Sequence, residues 1–434
     1  MTNEVNRTRR GLVTSALTAG VGLAAGAGFT LVTDSPAGAA AAAPLLTEGY
    51  SVRRFGAQGD GKADDTRAAQ AAIDAALKAG GGRIHFPAGR YRITRSLRFP
   101  SMERVDVTGD GASSTLLHEN DEPLLIWPEG VSCREVSVRH LRVQSTTHDK
   151  SPEAAVISCL GGVERSLFHH LLFFADSVRS GSGILTQQVA DTTTLESCIM
   201  WRIGGTGLRV ARGSEVRVIG GRITGDGSLR KENIGIHLVG DNGGVHVVTT
   251  DLIGLHTSMR IGERGHASNR EVFITHTTFD SSVHGLWQSD NAYTSIAGCW
   301  AASCDEEQIL LDENCAGAIL SVAGGTIFNG GAYGRPGSHH GLVVRAGRFT
   351  LTGASIRDNK GTGILLGEAR DYAVTGCRIH NNGIGAALAG ENLVVSSNVF
   401  TDNGQHLIDG SGLNKQILGN VFSGRPADKN SVTR

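Results

Sequence analysis

The stretch Phe55–Ile93, FGAQGDGKADDTRAAQAAIDAALKAGGGRIHFPAGRYRI, decides the fold. A helix is predicted to begin after Asp64 or Asp65, because a short carboxylate accepts the unpaired N–H groups of a first turn. It is predicted to end at Gly80–Gly82. Arg83–Ile93 then predicts a strand, a tight turn and a second strand. One helical face is predicted to be buried and consists of Ala69, Ala72, Ile73, Ala76 and Leu77.

This run resembles the N-terminal cap of the pectate-lyase-like superfamily, which includes polygalacturonase-like glycosidases, rhamnogalacturonases, alginate epimerases and tailspike depolymerases. The resemblance implies an all-β, right-handed parallel β-helix with a short N-terminal capping helix. It also implies a polysaccharide as substrate, but no particular reaction, because one fold runs several chemistries. Asp60, Asp64 and Asp65 belong to the cap motif, and we expect them to be structural. Some members of the family are trimers, so the resemblance leaves a homotrimer open.

Repeats in the rest of the chain predict the same fold independently. The segments Leu351–Gly367, Val374–Gly390 and Val394–Gly410 each contain a short alternating strand, an Asn- or Asp-containing turn and a second apolar strand. A self-similar period of this size indicates a solenoid, in which stacked coils bury one another. We predict roughly eleven or twelve coils. The recurring asparagines are interpreted as turn residues that bond their own backbone, and they are Asn359, Asn382 and Asn403.

Composition agrees with a β-structure rich in turns. Of 434 residues, 60 are glycine, 40% are apolar and 5% are aromatic. Lys and Arg number 41 and Asp and Glu 42, without a basic stripe, so no nucleic-acid partner is expected. The predicted organisation is a signal peptide over residues 1–43, a cap over 44–100 and the β-helix over 101–434.

The first residues predict export. Thr8–Val13 resembles a twin-arginine signal, Leu12–Val32 is apolar, and Ala37–Ala43 offers small residues for cleavage. The prediction is a secreted protein with no stable membrane anchor after cleavage. The alternative interpretation is an uncleaved membrane anchor.

Seven cysteines are present, an odd number without zinc-type spacing. We interpret most of them as small buried hydrophobic residues. Cys198, Cys299 and Cys377 occupy corresponding places in their repeats, which predicts stacking inside the helix. Cys304 and Cys315 form the one pair to be tested for a disulfide. No metal site and no cofactor is predicted.

The candidate catalytic residues lie in the middle coils, where charged side chains replace the ordinary turn pattern. In the repeat alignment Glu307 falls near His284, just before the next strand, and His340 falls at a similar place one coil further on. Asp226 and Glu232 occupy an earlier coil. The catalytic candidates are Asp280, Asp305, Glu306, Glu307 and His284. The substrate-binding candidates are Arg260, His256, Trp287, Trp300, His340 and Glu232.

Two reactions fit these residues, and the sequence leaves both open. Glycoside hydrolysis requires a protonated and an ionised carboxyl group, which neighbouring carboxylates such as Asp305–Glu307 can supply by mutual repulsion. A β-elimination lyase requires a base, for which His284 is the candidate, and a cation such as Arg260 beside the uronate. The competing interpretation of Asp305–Glu307 is a solvated turn.

Other function classes also stay open. A non-catalytic, glycan-binding or adhesive β-helix is one alternative, and a sugar epimerase or intramolecular fructan transferase is another. The chain lacks the NTD motif of polygalacturonase-like glycosidases and the DPH motif of alginate epimerases. No catalytic residue is therefore carried over from those families. The coils over Phe279–Leu311 look most like those of tailspike-like depolymerases.

Overall fold

The computed structural model describes residues 49–120, 122–145, 155–175, 182–186, 191–225, 232–410 and 412–424. These residues form an all-β parallel β-solenoid of about 13 turns, slightly more than the sequence predicted. The predicted signal peptide and Asp226 lie outside the described residues. In the part of the chain that is described, no helix has the length and apolar character needed to cross a membrane.

Each complete turn adds one strand to each of three parallel faces. The first face contains Tyr50–Ser51, Gly82–Phe86, Met102–Gly109, Gly162–Glu164, Thr194–Glu196, Arg217–Ile219, Val245–Val248, Glu271–Thr275, Tyr293–Ala297, Ile319–Ala323, Glu391–Ser396 and Lys415–Leu418. The second contains Asp60–Asp64, Gly89–Ile93, Ser114–His118, Ile199–Ile203, Arg222–Gly225, Asp251–Ile253, Thr278–Asp280, Trp300–Ala302, Thr326–Phe328, Ser355–Arg357, Arg378–His380, Val399–Thr401 and Val421–Ser423. The third contains Leu97–Arg98, Leu125–Trp127, Ala155–Cys159, Ser182–Thr186, Thr206–Val210, Ile234–Leu238, Thr257–Ile261, His284–Gln288, Glu307–Leu311, Ile384–Leu388 and Gln405–Asp409.

Four longer strands turn a corner and serve two faces. Ser132–Ser145 and Leu167–Ala175 join the first face to the second. His340–Thr352 and Thr362–Thr375 join the third face to the first of the next turn. Two short 3₁₀ helices, Val52–Phe55 and Gly111–Ser113, lie near the N-terminal end of the described region.

The core is a stack of equivalent apolar side chains. On the third face, parallel pairing joins Leu286 to Ile309, Ile309 to Leu342 and Leu342 to Ile364, and all four side chains are buried. A single coil has no partner for its inner side chains, so burial and stability come from the neighbouring coils. The register that packs the interior also fixes which outward side chains become neighbours.

The α-helix Thr66–Lys78 confirms the predicted cap. Ala69, Ala72, Ile73 and Ala76 are buried, and Leu77 is partly buried against the core. The helix begins after Asp65, whose carboxylate accepts hydrogen bonds from the N–H groups of Gln58 and Gly59 instead of the first turn. Asp64 accepts the bond from Thr66 N–H at 3.0 Å. The aspartates thus hold the cap, as expected.

The recurring asparagines join neighbouring coils, and the bond to its own turn that the sequence predicted is present for Asn382, whose Nδ2 donates to the carbonyl oxygen of His380 at 3.2 Å. Asn359, Asn382 and Asn403 are buried and form a ladder through the interior. Asn359 Nδ2 donates to Asn382 Oδ1 at 2.9 Å, and Asn382 Nδ2 donates to Asn403 Oδ1 at 3.0 Å. The same oxygens accept the backbone N–H groups of Asn359 and Asn382. Each side chain therefore links two coils.

The cysteines occupy similar interior positions. All seven are buried and free, so Cys304 and Cys315 are not joined by a disulfide. Cys198, Cys299 and Cys377 each follow the left-handed residue at the corner between the first and second faces, and each thiol donates to a carbonyl of the preceding coil. The prediction that these three occupy corresponding places is confirmed.

The asparagine ladder gives a stability prediction. Asn382→Leu leaves the donors of Asn359 without their acceptor inside the core, so we expect a loss of at least about 2 kcal/mol in the free energy of unfolding. Urea titration measures this loss. Asn381→Gly is the matched control, because Asn381 is exposed and left-handed, with φ of 54°; its effect is expected to stay within about 0.5 kcal/mol. Equal losses in both variants would contradict the account.

Candidate active site on the third face

The register of the third face brings three predicted site residues into one column. Glu307 pairs with His340, and the pairing of Leu286 with Ile309 sets His284 beside Glu307. Adjacent coils are about 4.8 Å apart, so the three side chains from consecutive coils share one patch of the outer surface. The repeat alignment predicted this arrangement.

His284 and Glu307 form a direct pair. Nδ1 of His284 lies 2.8 Å from Oε2 of Glu307, whose side chain is almost completely buried. Burial by itself would raise the pKa of Glu307, but the hydrogen bond and charge of His284, with the Arg345 guanidinium, hold that pKa below its ordinary value. Arg345 Nη2 lies 3.7 Å from the other carboxylate oxygen. Glu307 is therefore an ionised acceptor for Nδ1–H of His284, so that in the neutral form of this ring the lone pair is on Nε2.

His340 has the opposite tautomer. The backbone N–H of Thr362 donates to Nδ1 of His340 at 2.9 Å, so the proton of the neutral ring is on Nε2. Burial lowers the pKa of His340, and the charges of Glu307 and Glu306 oppose that shift in part. The column thus contains a ring with a free acceptor nitrogen and a neutral ring with an N–H donor.

A second outward column of the third face is cationic. Arg209, His237, Arg260 and Trp287 follow one another in consecutive coils. The guanidinium carbon of Arg260 lies 4.9 Å from the centroid of the Trp287 ring. The Nε of Arg260 is buried and has no hydrogen-bond partner among the described residues. The face therefore offers an unsatisfied guanidinium donor close to the histidine column.

His237 is an uncharged member of this column. Burial, assisted by Arg260 and Arg209 against the opposing charge of Glu263, lowers the pKa of His237 to about 4. Its Nε2 is buried and is also without a hydrogen-bond partner in the described part of the chain. Arg209 Nη2 contacts Glu263 at 3.3 Å. The carboxylate of Glu263 thus partly balances the positive charge of this column.

Aromatic groups complete the patch. The Trp287 ring lies 4.9 Å from the His284 ring, and its Nε1 donates to Asp312 at 2.9 Å. The His256 ring lies 5.5 Å from that of His284. The structure thus brings His256, Arg260, Trp287, His284, Glu307 and His340 together, and they are called here the third-face site.

The other predicted carboxylates have partners of their own: Asp280 ends the second-face strand Thr278–Asp280, and Asp305 and Glu306 lie at the turn between the second and third faces. Asp305 accepts a bond from Arg335 Nε at 2.8 Å, and Glu306 accepts one from Ser338 N–H at 2.9 Å. Asp280 accepts bonds from Ser281 and from Trp300 Nε1. The segment between Phe328 and His340 supplies Arg335 and Ser338, and it covers this turn.

Two further candidates also lie away from the site. Trp300 is on the second face, where its ring packs edge-on against that of Phe328 with the ring centroids 4.6 Å apart. Glu232 is an exposed turn residue before Ile234–Leu238. Both were predicted to bind substrate, and the structure places both outside the column of His284, Glu307 and His340.

Sequence reasoning missed several members of the site. Arg209 and His237 occupy the same strand position as Arg260 and Trp287, so an alignment of third-face strands by strand position would have found them. Arg345 lies within His340–Thr352 and Asp312 directly follows Glu307–Leu311, and neither residue carried a comparable signal.

Fold and site together define a parallel β-helix with acid–base and cationic side chains on its outer surface. Residues 49–124 match the family model described as rhamnogalacturonase A/epimerase, pectate lyase-like. Residues 219–423 match the model described as periplasmic copper-binding protein (NosD). The chain thus carries a pectate-lyase-like domain at the start of its β-solenoid.

Similar proteins extend this comparison. A segment of 45 residues, 10% of this chain, is 64% identical to alginate lyase 7 of Azotobacter vinelandii and spans 5% of that protein. The pre-mature gene product 12 of bacteriophage phi29 is similar in structure, with a TM-score of 0.64 and 14% identity over 87% of this chain and 57% of that one. The catalytic unit of a GH87 α-1,3-glucanase from Streptomyces thermodiastaticus is also similar in structure, with a TM-score of 0.51 and 18% identity over 89% of this chain and 70% of that one. The two structural likenesses concern the fold.

The lowered pKa of Glu307 gives a prediction for Glu307→Gln. Since the folded-state pKa lies below the ordinary 4.5, the carboxylate stabilises the fold above that pH and loses its effect as the pH falls through the lowered pKa. We expect a loss of about 1–3 kcal/mol at neutral pH, which shrinks on acidification.

Urea titrations from about pH 7 to about pH 3 measure this difference between variant and wild type. Glu391→Gln, which alters an exposed carboxylate on the first face, changes the net charge equally and serves as the control. A Glu307→Gln deficit that stays constant over the whole range would contradict a stabilising ion pair.

Proposed function

We propose that the protein is an exported carbohydrate-active enzyme that cleaves an acidic, uronate-containing polysaccharide by β-elimination along the third face. The observation that carries this proposal is the column in which Glu307 holds His284 at Nδ1 and Thr362 N–H holds His340 at Nδ1, with no hydrogen-bond partner among the described residues for either Nε2. The arginines beside this column supply the positive charge that a uronate carboxylate requires. The pectate-lyase-like segment and the short, strong match to an alginate lyase support a polysaccharide substrate.

In the proposed reaction, His284 Nε2 removes the proton from C5 of a 4-linked uronate. The electron pair of the broken C5–H bond forms a C4–C5 double bond, and the bond from C4 to the glycosidic oxygen breaks. The proton that His284 has taken up passes to that departing oxygen, and the neutral His340 donates a hydrogen bond to the same oxygen from Nε2–H. Glu307 stabilises the imidazolium that forms on His284 and keeps Nδ1 protonated, as a buried carboxylate does for a catalytic histidine.

Arg260 acts on the substrate in this mechanism. Its guanidinium neutralises the uronate carboxylate, which makes the C5 proton more acidic and stabilises the negative charge that develops. The buried, unsatisfied Nε of Arg260 gains a partner when a carboxylate binds. Trp287 offers an apolar ring face against which a sugar can pack.

Hydrolysis is less well supported by the same residues. It requires a carboxylic acid that keeps its proton beside a second, ionised carboxylate. The lowered pKa of Glu307 disqualifies it as that acid. Asp305 is bonded to Arg335 and Glu306 to a backbone N–H, so neither shares a proton with Glu307.

Export is part of the proposal and is supported by the start of the sequence. The twin-arginine-like Thr8–Val13, the apolar Leu12–Val32 and the small-residue stretch Ala37–Ala43 have the order of a cleavable signal. A polysaccharide too large to enter a cell would then meet the enzyme outside the cytoplasm.

The proposal predicts that His284→Gln abolishes cleavage of the substrate. The purified wild type is incubated with polygalacturonate, alginate and glucuronan, and ultraviolet absorbance of unsaturated uronates and reducing ends are followed together. Both signals are expected to rise. Loss of the base should lower kcat by at least about 10²-fold, whereas the control His246→Gln, on the first face against Phe273, should retain wild-type activity.

Each other outcome overturns the elimination. Reducing ends without the absorbance would indicate a hydrolase and move attention to Asp305 and Glu306. A change of uronate configuration without cleavage, seen by NMR, would indicate an epimerase. Binding to a polysaccharide without any chemical change would indicate an adhesive β-helix.

Arg260→Gln separates the role of the cation from that of the base. We expect kcat/KM to fall about 10–100-fold, as for loss of one charged hydrogen bond to the reacting group. Steady-state kinetics on the uronate polymer measure this change. An unchanged kcat/KM would remove Arg260 from the site and leave the His284 prediction intact.

A further inference from the structure

Three histidines cluster at the corner between the first and second faces, away from the third-face site. His140 lies in the strand Ser132–Ser145, and His169 and His170 lie one coil further, in Leu167–Ala175. Ring centroids are 4.0 Å apart for His169 and His170, 5.4 Å for His140 and His169, and 5.6 Å for His140 and His170. One nitrogen from each ring lies within 4.8 Å of the other two.

The coil register creates this cluster. His169 pairs with Arg139, so His170 and His140 occupy the same corner position in adjacent coils. Both have left-handed backbones, with φ of 47° and 54°. Several other coils have glycine at this corner, for example Gly298 and Gly376. An imidazole at the corner of two successive coils is a departure from that pattern.

We propose that His140, His169 and His170 bind a divalent transition-metal ion of the Zn²⁺ type. Neutral imidazole nitrogen is a preferred ligand of such ions, and three histidines with one further ligand form a tetrahedral site. With Zn–N distances of about 2.0–2.1 Å, ligand atoms lie roughly 3.4 Å apart, so nitrogens that now lie within 4.8 Å of one another need to approach by at most about 1.4 Å.

A carboxylate stands beside the three rings. Oε2 of Glu196, on the next coil, lies 3.9 Å from Nε2 of His169. Carboxylates near metal-bound histidines orient the ring or complete the coordination. Glu196 is thus the protein group best placed to assist the three nitrogens.

The electrostatic surroundings allow a cation. The neighbouring guanidinium of Arg139 is neutralised by Asp106, whose carboxylate oxygens lie 2.8 Å from Nε and 2.6 Å from Nη2 of Arg139. Within the described residues, no hydrogen bond occupies any of the three rings.

Solvent reaches the cluster. His170 is exposed, and His140 lines an open polar cleft of about 690 Å³ together with His85, Asp110 and Arg139. An ion can therefore enter from solution. A metal held by ligands from two coils would tie those coils together and stabilise the folded state by mass action.

Calorimetric titration of the purified chain with Zn²⁺ tests the proposal, in a buffer that does not chelate metals. We expect one tight equivalent, and at least a 10-fold loss of affinity in His140→Asn and in His170→Asn. Asparagine tolerates the left-handed backbone, so both variants should fold, which thermal unfolding without metal verifies. His276→Asn is the matched control, because His276 has the same corner geometry, with φ of 48°, outside the cluster.

A second probe is the visible spectrum with Co²⁺, whose intense bands mark a tetrahedral site. Loss of these bands in His140→Asn and His170→Asn, but not in His276→Asn, supports the proposal. It is overturned if the wild type binds no Zn²⁺, if the cluster variants bind as tightly as the wild type, or if His276→Asn loses as much affinity. Polysaccharide cleavage is not part of this test.

Discussion

Parallel hydrogen bonding between successive coils is the constraint on which this molecule depends. It holds each residue about 4.8 Å from its equivalent in the next coil, and so it converts spacing in the sequence into contact in space. The interior ladder of Leu286, Ile309, Leu342 and Ile364 is one consequence. The column of His284, Glu307 and His340 on the outer surface is another. Stability and chemistry therefore share a single register.

Polar residues inside the solenoid follow the same rule. The buried Asn359, Asn382 and Asn403 satisfy one another's amides, and Asn242 and Asn269 continue likewise to Asp290. Burial raises the pKa of Asp290, although the bonds from Asn269 and Ala292 oppose the rise. Because unsatisfied polar groups in the core are costly, these ladders discourage a coil from slipping by one residue. The interior thereby protects the alignment of the outer columns.

The fold could be predicted from the sequence because its signals are local or periodic. The cap helix follows from the spacing of Ala69, Ala72 and Ile73, and the solenoid follows from the repeats. That His284, Glu307 and His340 are neighbours could also be predicted from the sequence, because the repeat alignment gives the register of the coils. The contacts that Arg335 and Ser338 make from segment 329–339 were not predictable, because contacts from a loop depend on its path. The histidine cluster joins residues 30 positions apart in sequence and shows no ligand spacing, so the sequence predicted no metal site.

The central claim is that stacking places two histidines of opposite tautomer, one coil on either side of an ionised Glu307, on the same face. Nitrogen-15 NMR of the imidazole rings, with His284→Gln and His340→Gln to assign the signals, measures this most directly. The account predicts that, at neutral pH, His284 is protonated on Nδ1 and the neutral ring of His340 carries its proton on Nε2. Two rings with the same tautomer, or a His284 whose signals do not respond to Glu307→Gln, would contradict it.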